Sequence, residues 1–413
     1  MARVATPKTK QNKTPYLVLC GVSALWYHRL AAAGLLPLPY GCEIESLDGA
    51  ASSLASASNA DTSWMKISTA DLAARDIYVK DEVETYLRKR HPEDPMEALA
   101  YAEAFPHTID FPKPIDLLCA DPGHRNWRNG VHVHVYQGKL PDGALLKIGR
   151  NVYVTSPEFT LFQMGREVGD VHLLAALITE LAGNHAQLPQ GLVCCKRYLD
   201  EGRVPFEGRR LIGDGYVDCA PCTSVESLDA MLRRYPHLPG VKLIRRALKG
   251  SGDGSRSTFE TYVDVELQLP RCDGGRGAGK GRLNERITFD DIEKKMAGDR
   301  KCAYADLLLT AKNGKRIDVE TNGTFGHADR KRMNRDSGRR HALEHAGIEV
   351  IDVTWDEFAN AETWDAICRR ITNHLGKRYA APSPNISEKQ RLVHTDFCNW
   401  DCLRTFPPRN WRS

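Results

Sequence analysis

Apolar positions recur along this chain at two spacings, and the changes from one spacing to the other mark its elements. Residues 14–37, TPYLVLCGVSALWYHRLAAAGLLP, predict a strand or loop followed by a helix capped near Ser23 and stopped by Gly34 and Pro37. AASSLASASNADTS (50–63) is small, polar and low in complexity, and reads as a linker. Helical spacing returns from residue 69 to about 104, broken by Pro92 and Pro95. PIDLL, GVHVHVY, ALLKI and NVYVTSP then cluster β-formers between Gly and Pro turns and predict a small sheet over residues 114–157. Helices follow in SPEFTLFQMGREV, DVHLLAALITELAG and TSVESLDAMLRRY, the last with Ser224 and Ser227 at cap positions. LPGVKLIRRALKG is a short basic helix ended by Gly250. The turn-formers of SGDGSRS (251–257) predict a flexible break and a domain boundary near residue 251. After residue 378 no period is evident, and the tail is expected to be extended, docking through Trp400 or Trp411.

These elements predict an α/β multidomain chain: an N-terminal segment and linker (1–60), a mixed α/β region (61–250), a second α/β domain (251–378) and a tail (379–413). A length of 413 residues is ample for such cores, and 27% charged residues do not suggest disorder. The net charge of +4 permits a phosphate-bearing partner without demanding one. No apolar run approaches the roughly 20 residues of a membrane span, and the first 20 residues carry too short an apolar segment for a signal peptide, so a cytoplasmic protein without a membrane partner is expected. The twelve cysteines lie mostly in apolar contexts and read as reduced thiols. Cys194, Cys195, Cys219 and Cys222 could close a zinc site, but the adjacent pair spaces its sulfurs badly for one, and His394, Cys398 and Cys402 lack a fourth ligand.

Two further motifs need weighing. His132 and His134 share one face of the GVHVHVY strand, but with no acid or thiol nearby in sequence they read as an ordinary polar face. GGRGAGKG (274–281) nearly spells a phosphate-binding loop around Lys280. Gly281 stands where a magnesium-holding hydroxyl would be, and RLNERITF after it reads as a strand, so a mobile basic loop able to touch nucleic acid is expected instead.

The acids of residues 305–321, ADLLLTAKNGKRIDVET, carry the sharpest chemistry. The stretch predicts a hairpin turning at Asn313-Gly314. A two-residue loop would pair Lys312 with Lys315 and mix apolar with acidic residues on one face. A three-residue loop pairs Lys312 with Arg316, gathers Ala305, Leu307, Leu309, Ile317 and Val319 on the core face, and leaves Asp306, Asp318, Glu320 and Asn322 on the other, with Leu308 the one exception. Asp306 and Glu320 can then converge on a magnesium or manganese ion, with Glu260 from the preceding helix as a further acid and His327 as a base or phosphate contact. Arg332, Arg335 and Arg339 recur along the helix predicted over residues 329–345, where pairing with Asp336 competes with phosphate contact.

The ordered set Ser257, Glu260, Thr261, Asp306, Glu320, Asn322, Gly323, His327, Arg335, Asp336, Arg339, Leu343, Gly347 and the strand V-I-D-V-T (350–354) resembles the very-short-patch-repair-like branch of the PD-(D/E)XK nucleases, over about residues 255–376. Upstream, SALWYHRL, PIDLL, GVHVHV and NVYVTSPEFTLFQM resemble the middle region of AbiEi-type antitoxin-like proteins; the winged-helix unit that often opens that family has no room ahead of Ser23. The resemblance implies a mixed sheet flanked by helices, with metal at acidic strand ends, and a magnesium-dependent DNA endonuclease serving repair or phage defence. The alternative is a catalytically silent nuclease fold that binds DNA or a protein partner of a toxin–antitoxin or defence system. Asn322 separates the two, because it stands where this branch has an acid and the wider superfamily a lysine; it can orient water but cannot carry a proton.

Overall fold

The computed structural model of the protein describes residues 15–42, 44, 46–81, 108–124, 127–128, 130–194, 206–207, 210–211, 215–322, 330–399 and 401–404, with the backbone alone described at 124, 127–128, 206–207, 210–211 and 330–336. The first half is built on a mixed sheet of β1 (Leu17–Leu19), β2 (Ile115–Cys119), β3 (Trp127–Arg128), β4 (Val131–Val135), β5 (Leu145–Gly149) and β6 (Val152–Thr155), in the order β3-β4-β2-β1-β6-β5. β1 is central, parallel to β6 and antiparallel to β2, and all three of its residues are buried, as an unbroken apolar run between two neighbours requires. Residues 17–19 therefore belong to the main sheet rather than to a separate N-terminal segment.

Helix α1 (Gly21–Ala32) begins two residues earlier than the cap expected at Ser23. Ser23 lies inside it, and its hydroxyl donates to the Pro114 carbonyl and accepts from the Asp116 N–H at 2.8 Å, tying the helix to β2. α2 (Pro157–Glu167) starts at Ser156, whose hydroxyl accepts from the Phe159 N–H, and α3 (Val171–Leu181) is buried along its whole length. Such a helix must be covered on every side, and α3 lies between α2 and the helices of the second half. The run expected to be helical from residue 69 holds a five-residue helix (Thr69–Ala73) and then a strand (Ile77–Val79) paired with Leu192–Cys194; from residue 82 on, the run lies outside the described residues.

The second half comprises α4 (Val225–Arg234), α5 (Val241–Ala247), α6 (Thr258–Gln268), β7 (Gly281–Thr288), α7 (Asp291–Met296), β8 (Cys302–Thr310), β9 (Arg316–Asn322), α8 (Arg330–His345), β10 (Ile348–Thr354), α9 (Trp355–Ala359), α10 (Ala361–His374) and α11 (Pro384–Cys398). β7, β8 and β9 form an antiparallel meander; α8 then crosses over to place β10 parallel to β9. Leu307, Leu309, Ile317 and Val319 join the main core, while Leu308, Ile287, Ala342, Leu343 and Val350 form a second, smaller core beneath α8. Leu308 is thus no exception: α8 covers the face that carries the acids.

Three expectations are corrected here. Residues 251–257 are no flexible break, because Ser251 and Ser255 are fully buried and the Asn184 N–H donates to the Ser255 carbonyl at 2.5 Å, so the main core runs on past residue 251. The glycine-rich loop is not mobile: a Cβ at Gly275 would fall 2.0 Å from the Leu269 carbonyl oxygen, and Arg276, 7% exposed, is paired with Glu266 and Asp365. The tail forms α11, whose Phe397 stacks on Tyr262 of α6 at 4.7 Å; Trp400 and Trp411 lie outside the described residues. The protein is mixed α/β, and among the described residues no helix is long and apolar enough to cross a membrane.

Candidate functional site

The acids meet where β7, β8 and β9 run beneath α8 and the N-terminus of α6. The β8–β9 register pairs Thr310 with Arg316 and Leu307 with Val319, two residues shifted from the three-residue loop expected. The connection spans residues 311–315, closed by the Ala311 N–H donating to the Lys315 carbonyl. Since the shift is even, Leu307, Leu309, Ile317 and Val319 keep their expected face, whereas Ala305 joins Leu308 in the smaller core, and continuing the same register sets Asp306 across from Glu320.

Each carboxylate has a distinct environment. Asp306 accepts from the Thr321 N–H at 2.9 Å and from its hydroxyl at 3.1 Å. Glu260 follows the N-cap Ser257 by three residues; its carboxylate accepts from the Arg256 N–H at 2.8 Å and from the Asn284 amide at 3.1 Å. Asn284 is held at φ 49°, a left-handed conformation uncommon outside glycine, and its amide also donates to the Gly254 carbonyl. Asp318, fully buried, receives no hydrogen bond at either oxygen among the described residues. Arg339 of α8 donates to Glu320 at 2.5 Å and to the Tyr304 carbonyl, with its guanidinium 3.8 Å from Asp318.

The electrostatics follow from burial and from like charges with one cation among them. Burial first, then the Asp306 charge, raises Glu260 above the usual carboxylate range. Burial and Glu320 raise Asp306 against the two Thr321 bonds, and burial and Glu320 raise Asp318 furthest, against the pull of Arg339. Such a set of hard oxygen donors suits a magnesium-like ion, and the unbonded oxygens of Asp318 are what a missing cation would leave. The site is not drawn tight, however. Among the described residues, groups of three ligand atoms within 4.8 Å of one another occur at Asp116, His132 and His134 and at Asp290, Glu293 and His345, and not among these acids.

The structure thus brings together Glu260, Asp306 and Glu320, adds Asp318, and turns Asn322 elsewhere: its amide donates to Asp352 at 3.1 Å. Arg339 is bound to an acid of the cluster, Lys280 is exposed, and His327 and the side chains of Arg332 and Arg335 lie outside the described residues. Asp318 was missed as a site residue, although it shares the alternation of Asp306 and Glu320. Of the candidate zinc thiols, Cys195 is outside the described residues, and burial pushes the Cys219 thiol up and that of Cys222 to about 12.

The histidine pair is not an ordinary polar face. Parallel pairing of β2 with β4 sets Asp116 beside His132 and Leu118 beside His134. Oδ1 of Asp116, itself fully buried, lies 3.0 Å from His132 Nδ1 and 2.8 Å from His134 Nε2, and His134 Nδ1 lies 2.9 Å from Glu167 at the end of α2. Burial opposes charge on His134, but the two carboxylates raise it to about 9. Comparison of the chain with protein-family models, with curated proteins and with solved structures found no match to any of them.

Proposed function

We propose that residues 251–378 form a metal-dependent DNA endonuclease domain of the PD-(D/E)XK type, with Asp306 and Glu320 as ligands of magnesium or manganese and Glu260 as the neighbouring acid. One observation carries this reading: Asp306, Asp318, Glu320 and Glu260 gather in one desolvated region where Arg339 pairs with Glu320 and Asp318. Buried like charges destabilise a fold unless they answer a need, and a hard cation is the partner they fit. The chain order helix, three-strand meander, helix, parallel strand supports it further, since that is the mixed sheet flanked by helices which the resemblance implies. The ion, when bound, would neutralise the acids and polarise a phosphodiester. Thr321 holds Asp306 in place, Asn284 holds Glu260, and Arg339 must give up Glu320 or keep it charged as the ion enters. DNA is the proposed partner, and DNA repair or phage defence the proposed setting.

A second reading has its own observation. Asn322 is bonded to Asp352, and Arg339 fills the place of a cation on Glu320, as a silent nuclease fold serving as a DNA-binding or antitoxin-like regulator would have them. Cleavage of supercoiled and mismatched DNA with magnesium or manganese decides between them. The nuclease reading expects nicking that Asp306→Asn and Glu320→Gln each reduce by at least about 100-fold, as removing a principal electrostatic contributor does. DNA binding with no cleavage under either ion, the same in wild type and variants, establishes the silent fold instead.

A further inference from the structure

The sheet of the first half carries a second constellation, remote in sequence from the acids and not used by the proposed nuclease. We propose that Asp116, His132 and His134 form a binding site for a divalent first-row transition metal, with zinc as its natural occupant, and that Glu167 orients the ligand His134.

The donor atoms are already gathered. Asp116 Oδ1, His132 Nδ1 and His134 Nε2 all lie within 4.8 Å of one another, and the two nitrogens approach the same oxygen at 3.0 and 2.8 Å. Metal–ligand bonds of about 2.0–2.2 Å in tetrahedral array separate ligand atoms by roughly 3.3 Å, so a few tenths of an ångström of expansion brings both histidine nitrogens to coordination spacing from Asp116. Three protein ligands leave a fourth position, and His132, 27% exposed, stands on the solvent side of it. Two imidazoles and one carboxylate select zinc-like metals over magnesium, which takes oxygen ligands.

The surroundings are those of a built site. Both histidines come from one face of a single strand and Asp116 from the parallel neighbour, so hydrogen-bonded backbone sets their spacing. Asp116 is further fixed through its own N–H to Ser23. Gly21, at φ +52°, opens α1 beside the cluster, where a Cβ would meet His134 Nε2 only at an ordinary contact distance of 3.8 Å. Glu167 accepts at His134 Nδ1, the far nitrogen of the ring, as the outer carboxylate of a carboxylate–histidine–metal series does, and its second oxygen is buried with no other partner. To bind metal, His134 would give up the proton its Nε2 directs at Asp116 and keep the one on Nδ1 toward Glu167, while His132 would bind through Nδ1 with its proton on Nε2. The Asp290, Glu293, His345 group lacks this character, because Asp290 and Glu293 are committed to capping α7.

The test is a titration of the full-length, chelator-stripped and reduced protein with cobalt(II), followed by its visible absorption, with zinc(II) as competitor. With magnesium in excess to fill the acid cluster, the expected result is one equivalent bound, with the intense d–d bands of a low-coordinate ion, no thiolate-to-cobalt charge-transfer band, and displacement by zinc. Glu167→Gln should weaken binding by about 10- to 100-fold, the range for loss of an orienting carboxylate. His132→Ala, which deletes a partly exposed ligand, should weaken it more, whereas Cys219→Ser with Cys222→Ser should leave it unchanged. Melting of each variant in metal-free buffer checks that it is folded; should His132→Ala unfold, Glu167→Gln carries the test. No cobalt spectrum at millimolar ion, a thiolate charge-transfer band, or titrations unaltered in the folded His132→Ala or Glu167→Gln proteins would overturn the proposal.

Discussion

Asp318 and His28 show how single buried groups set the behaviour of this protein. Among the described residues neither oxygen of Asp318 receives a hydrogen bond, and the Arg339 guanidinium, 3.8 Å away, favours its charged form against burial and Glu320. Asp318→Asn changes few contacts and makes permanent the uncharged state that burial and Glu320 already favour. The variant should melt no lower than wild type at pH 8 without metal; a loss of more than about 1 kcal/mol would mean that the carboxylate has a favourable partner. His28, buried against the Thr155 carbonyl at 2.7 Å, has the opposite history: burial lowers its pKa from 6.5 to about 4. Below 6.5 the unfolded chain takes up a proton that the folded protein refuses until about 4. Its contribution is therefore complete above 6.5 and is lost as pH falls through that window, by about 3 kcal/mol in all. Urea melts at pH 7.5 and 4.5 should show a fall in stability that His28→Gln makes shallower by about that amount.

At the scale of elements, alternation was legible and distance was not. Leu307, Leu309, Ile317 and Val319 against Asp306, Asp318 and Glu320 assign the faces of β8 and β9 correctly, because a strand has period two whatever its loop. The loop itself escaped: Asn313-Gly314 suggests a tight turn, but residues 311–315 all take part, and only the even shift saved the faces. The partners of His132 and His134 were hidden because Asp116 lies 16 residues before His132 in the chain and Glu167 belongs to a later helix, and parallel neighbours leave no local trace. α11 escaped for a different reason: its buried stripe, Gln390, Val393, His394 and Phe397, includes polar residues that bond inward, His394 to Glu266 and Gln390 to the Gly275 carbonyl. This helix anchors the second half. Phe397→Ala, which empties a fully buried site stacked on Tyr262, should cost about 3–5 kcal/mol in denaturant unfolding. A cost below about 1 kcal/mol would mean that α11 is not docked.

Across the whole molecule, one apolar core runs from the first strand to the tail helix, and the two polar constellations stand apart on different sheets. They also differ in kind: nitrogen-rich around β4, all oxygen between β8 and β9. Magnesium therefore discriminates between them, and its effect on stability tests the acid cluster without knowledge of any DNA target. An ion that binds only the folded state adds RT ln(1 + [L]/Kd), about 1.4 kcal/mol at ten times Kd, a shift of a few degrees in Tm. The decisive measurement is a melting series of wild type and Asp306→Asn, each with and without magnesium or manganese. The account predicts an apo variant at least as stable as wild type, since one of the clustered charges is gone, and an ion-induced rise in Tm in wild type that the variant lacks. Equal shifts in both proteins, or none in either, together with a destabilised apo variant, would contradict it and leave the acids as a structural network around Arg339.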